Sequence, residues 1–164
     1  MRSVLSEAER ERYFVRLQEM VVELPAIEQH DVLLSRARGA RALREAHRRE
    51  SILAAELDKY QSTINKALLD ARKAADKDDK REEERNLALV RINKELHYTR
   101  LAILQRAQDE VRNLQKSSGL TSEDPLDDYA LSDADYAALE TRITAFRGEY
   151  QHLYQLLRQQ EGLE

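Results

Sequence analysis

Alternating steps of three and four residues from Leu43 land on Ala46, Glu50, Leu53, Leu57, Tyr60, Ile64, Ala67, Ala71 and Ala74, a single seam sustained for nearly five heptads with one charged exception. Such a pattern is a long amphipathic helix. A stripe this narrow cannot be satisfied by the helix that carries it, so another helix must cover it. That requirement, more than any motif, limits what the chain can fold into.

The surrounding composition agrees. Charged residues are 35% of the 164 and aromatics 5%, with 4 glycines and 2 prolines. Ala, Leu, Glu, Arg, Lys and Gln dominate, which favours long helices or coiled coil over a sheet. The apolar residues keep helical spacing instead of being diluted, which argues against disorder. Cysteine is absent, removing disulfides and thiolate metal sites. A net charge of −4 exerts no general pull toward nucleic acid or anionic lipid. Neither a leader-like apolar run nor a stretch of about 20 apolar residues occurs, so a cytoplasmic location without membrane insertion is expected.

The first helix is predicted to start at Ser6, where Ser6-Glu7-Ala8-Glu9 reads as a capping box. Its stripe is Phe14, Leu17, Val21 and Leu24, with Tyr13 and Met20 beside it. Pro25 lacks a backbone donor and disfavours helical geometry at Leu24, which predicts a break or sharp kink. Helical spacing resumes at Ile27 and runs into the Leu43 seam. Residues 76–85 then carry charge alone, and a reversal is expected near Asp76–Asp79, where short polar side chains compete for backbone hydrogen bonds. A third helix over Leu87–Leu114 places Leu89, Ile92, Leu96, Ile103, Ala107 and Leu114 on its stripe. Val90, Leu101, Leu104 and Val111 widen it toward a second neighbour. Ser117-Ser118-Gly119 is a stop signal. The last helix is expected from Ser132 as cap, with Asp135 in the capping-box position and a seam of Tyr136, Leu139, Ile143, Phe146, Tyr150, Leu153 and Leu157.

These readings divide the chain into a capped helix over 1–25, a long helical hairpin over 26–118 with its turn near 76–80, an acidic loop over 119–131 and an amphipathic helix over 132–164. Together they predict one domain: an all-α, elongated, antiparallel helical bundle or coiled coil.

Little in the chain resembles an active site. One Glu-x-x-His pair, Glu149 with His152, falls short of the two that a helical di-iron site needs. There is no zinc-protease motif, phosphate-binding glycine loop or nucleophile elbow. We therefore expect no enzyme, no cofactor and no metal.

Two features point instead to contact. Arg36, Arg38, Arg41, Arg44, Arg48 and Arg49, set against Glu45 and Glu50, form a basic patch of net +4. An acidic protein surface would suit it, since arginine makes bidentate carboxylate contacts. Nucleic acid suits it less, for want of base-reading side chains. Internal pairing is the simplest role, because seven acids without a base lie between Thr121 and Glu140, and a hairpin would return them toward the arginines. The second feature is aromatic: Tyr136, Phe146, Tyr150 and Tyr154 read either as core and rim or as anchors for a partner. Glu50, the polar intruder in the long seam, could pair with Arg106 or Arg112 to fix register.

The expected function is that of a non-enzymatic scaffold or assembly subunit working through coiled-coil protein contacts, as in filamentous, cytoskeletal or secretion-type assemblies, within an oligomer or hetero-complex. A soluble adaptor or chaperone gripping a partner helix is the alternative. A polyanion or nucleic-acid binder using Arg36–Arg49 is the second.

Overall fold

A computed structural model describes residues 5–161. Helix accounts for 90% of the described residues, and no strand occurs among them. The elements are α1 (Glu7–Asp76), α2 (Lys80–Ser118), α3 (Leu126–Tyr129) and α4 (Asp133–Glu161). The fold is an all-α helical bundle. It divides into two compact units, Met1–Ala40 with Pro125–Glu164 and Arg41–Asp124. The division follows a change of partner along α1: α4 covers its first half and α2 its second.

Local chemistry explains most ends of the long helices. Ser6 Oγ accepts the Glu9 N–H at 3.2 Å, the expected start of α1. The reversal between α1 and α2 occupies Lys77–Asp79 and contains neither Gly nor Pro. Asp78 takes a left-handed conformation at φ +58, which acidic and amide side chains tolerate better than most. The Asp79 N–H donates to Ala74 O at 2.9 Å and the Asp78 N–H to Ala75 O at 3.1 Å. These paired bonds are a Schellman closure. Asp79 then caps α2, its Oδ1 accepting the Glu82 N–H at 3.2 Å. Gly119, at φ +72, ends α2 with its N–H on Gln115 O at 2.9 Å. Ser132 Oγ accepts the Asp135 N–H at 3.1 Å and starts α4. Within the expected acidic loop lies the single turn of α3.

Three expectations are corrected. Pro25 does not break α1, which continues through it. The turns on either side are held to α4: Met20 and Ile27 form a buried cluster with Phe146 and Leu153, and Tyr13, Leu17, Leu24 and Tyr150 pack against it. That packing outweighs the single backbone hydrogen bond the ring removes. Accordingly, the buried stripe of the first half of α1 is Tyr13-Leu17-Met20-Leu24-Ile27, while Phe14 and Val21 are exposed.

The third correction concerns α2. The residues expected to widen its stripe form its inner face: Val90, Leu104 and Val111 are buried, together with Asn86. Leu89, Ile92, Leu96 and Ile103, placed on the main stripe, are exposed. The facing seam of α1 is as expected, with Leu43, Ala46, Leu57, Ile64, Ala67, Ala71 and Ala74 buried. Its alanines leave room for partly polar neighbours near the turn. Asn86 is accommodated there because its Nδ2 donates to Glu82 O at 2.9 Å.

Candidate protein-contact surfaces

The arginines of the basic patch are largely engaged within the chain. Arg38 Nε donates to the Tyr136 hydroxyl at 3.2 Å, and its Nη2 lies 3.3 Å from Glu140 Oε2. The hydroxyl bond first and the carboxylate second raise the Arg38 pKa. The guanidinium of Arg36 lies 3.8 Å from the ring centroid of Tyr129, a cation–π contact where the acidic run suggested a carboxylate. Arg49 reaches Glu110 on α2 at 3.0 Å. Arg41 and Arg44 also have interaction partners, and Arg48 is exposed. Glu50 pairs along its own helix with His47 Nδ1 at 3.7 Å instead of with Arg106 or Arg112.

The expected aromatic anchors separate into two groups. Phe146 is buried in the α1–α4 core and stacks on Tyr150 at a centroid distance of 6.3 Å. Tyr136 is half-buried, its hydroxyl accepting from Arg38. Tyr154 is exposed, and with Arg10, Phe14, Leu17, Leu157 and Arg158 it lines a shallow groove of about 490 Å³. Glu149, which the sequence offered beside His152, is committed elsewhere: Arg16 Nε donates to its Oε1 at 2.7 Å, and Nη2 to its Oε2 at 3.3 Å. The fork holds the Glu149 carboxyl below the usual carboxylate range and raises the Arg16 pKa. Among the described residues, no group of three or more His, Cys, Asp and Glu side chains could hold a metal. No helix among them is long and apolar enough to cross a membrane.

Two outward-facing stripes are apolar and periodic. On α2, Leu89, Ile92, Leu96 and Ile103 follow heptad steps, with Thr99 filling the one gap, and Ile92 is 55% exposed. On the first half of α1, Val15, Val22 and Val32 lie opposite the Met20–Ile27 stripe, exposed at 46%, 80% and 68%. A shallow groove beside them is lined by Pro25, Glu28, Gln29, Val32 and Leu33. Helices already packed on one face thus carry a second stripe facing water. The inner stripes use the helix partners this chain supplies, and on α2 the outer stripe hides in the sequence as the main buried face, with the inner one as its widening. Two stripes at heptad spacing, offset around the same helix, were the signal that could have separated them. No protein-family model, curated protein or solved structure significantly matches this chain.

Proposed function

We propose that the protein is a non-enzymatic structural or assembly subunit that works by docking helices onto its outer seams. The observation carrying this reading is the pair of exposed heptad stripes, Val15-Val22-Val32 on α1 and Leu89-Ile92-Leu96-Ile103 on α2. Scattered surface apolar residues need no explanation, but recurrence at a/d spacing along helices already covered on their other face is the pattern of a helix awaiting a helix. A place in a filamentous, cytoskeletal or secretion-type assembly, in the cytoplasm, is the setting such a subunit fits.

The test is sedimentation velocity of the full chain over a wide concentration range, for wild type, Val22→Asp and Ile92→Asp/Leu96→Asp, with circular dichroism on each. Association that weakens in at least one variant while helicity is kept supports the reading. Unchanged monomeric behaviour in all three contradicts it. A second reading, an adaptor that grips a partner helix, is favoured by the groove between Phe14 and Tyr154. It predicts a strictly monomeric chain whose binding of an amphipathic helical peptide is lost in Tyr154→Ala. The polyanion reading draws less support, because Arg36, Arg38 and Arg49 are engaged within the chain.

A further inference from the structure

The outer seam of α1 reads nearly the same in both directions. Alternating steps of four and three from Glu11 give Val15, Gln18, Val22, Pro25, Gln29, Val32 and Arg36, and all eight residues are exposed. A twofold axis between Glu23 and Leu24 sets Val22 opposite Pro25, Gln18 opposite Gln29, Val15 opposite Val32 and Glu11 opposite Arg36 of a second copy. Each pairing also joins an a position to a d position, the layering that an antiparallel two-stranded coiled coil requires. We propose that this face binds a second copy of the chain, antiparallel, through four symmetry-repeated layers spanning residues 11–36.

The identity of the occupant rests on that self-complementarity. An unrelated partner would not require this seam to complement its own reverse, whereas an isologous dimer does. Charge selects the direction. Antiparallel pairing places Glu11 against Arg36 at both ends, while parallel pairing would set Glu11 on Glu11 and Arg36 on Arg36. Stacking on Tyr129 uses the face of the Arg36 guanidinium and leaves its in-plane N–H groups free to donate to a carboxylate. Gln18 and Gln29 can hydrogen-bond side chain to side chain across the interface, and a polar layer of that kind fixes register. The paired segment is about 38 Å long.

The inference rests on the reading of the protein as a helix-docking subunit, and the two fail separately. Because the chain has no cysteine, the double variant Val15→Cys/Val32→Cys provides the only thiols. Mild oxidation of the full-length double variant is expected to give a covalent dimer. Val15→Cys alone is expected to give none, since antiparallel copies hold the two thiols about 25 Å apart and a disulfide needs Cα atoms within about 7 Å. Glu11→Arg should weaken self-association roughly tenfold, because symmetry turns both end pairs repulsive, and adding Arg36→Glu should restore it. A cross-link in Val15→Cys alone would mean parallel pairing and would overturn the proposal. So would a double variant that fails to cross-link, or self-association indifferent to Val22→Asp. If association persists in Val22→Asp but is abolished by Ile92→Asp/Leu96→Asp, this inference falls and the docking reading stands. If wild type and every variant remain monomeric, both fall.

Discussion

Met20 and Phe14 show how much a helical stripe read from sequence can drift. Both are apolar and lie within two turns of α1, and sequence spacing put Phe14 on the buried line with Met20 at its side. The structure buries Met20 completely and leaves Phe14 more than half exposed. So short a stripe, Phe14 to Leu24, allows more than one starting residue, and only the position of α4 decides between them. Met20→Ala should therefore cost about 2–4 kcal/mol, whereas Phe14→Ala should cost less than about 1 kcal/mol. Urea unfolding of the two variants checks the difference.

The Arg16–Glu149 fork makes a residue-scale prediction of a different kind. Folding lowers the Glu149 pKa, so its contribution is present above the unfolded glutamate value of about 4.3 and is lost as pH falls through the lower folded value. Glu149→Gln should then melt below wild type at neutral pH, with the gap closing as the solution is acidified below about pH 4. Melting curves across acidic pH would show this, and added salt should narrow the neutral-pH gap because both partners touch solvent. No sequence signal connected these two residues, which lie on different helices 133 positions apart.

At the scale of elements, capping chemistry was the most legible part of the chain. Ser6, Ser132 and Gly119 each sit where spacing and residue type put them. The α1–α2 reversal was legible for a weaker reason, since its signal was a cluster of short acidic residues and the positive φ falls on Asp78. Gly119→Ala should cost about 1 kcal/mol through the backbone alone. A Cβ there meets nothing within 4 Å, so no steric term is added. Pro25 was the misleading residue. A local rule predicted a break, and packing across to Phe146 and Leu153 overrode it. Pro25→Ala restores the missing donor in a helix that forms regardless, so it should stabilise the chain by about 1–3 kcal/mol. Both variants can be ranked by their denaturant midpoints at constant slope.

For the molecule as a whole, the sequence announced an all-helical bundle with an antiparallel hairpin and more apolar seam than it could use, and the bundle and surplus are visible in the fold. The distribution of the surplus was hidden. On α2 four large stripe residues, Leu89, Ile92, Leu96 and Ile103, are exposed instead of joining the inner face. Hydrophobicity alone favours them for the core. The inner face is instead Asn86, Val90, Leu104 and Val111, with Val90 clustered on Ile64 and Ala67 of the long α1 seam. The basic patch was equally ambiguous: charge counting allowed internal pairing, the simplest role, or a surface for a partner, and the structure sets Arg38 on Glu140, Arg36 on Tyr129 and Arg49 on Glu110. Both outcomes move the candidate site from charge to apolar periodicity.

Whether helices cover these outer seams is decided by sedimentation equilibrium of the intact wild-type chain. Covered seams should give a weight-average mass that rises above the 19.1 kDa of one chain as concentration increases, and that returns toward it when Val22→Asp and Ile92→Asp/Leu96→Asp are combined in one chain. A mass fixed at one chain across the range, the same for wild type and the combined variant, would contradict that coverage.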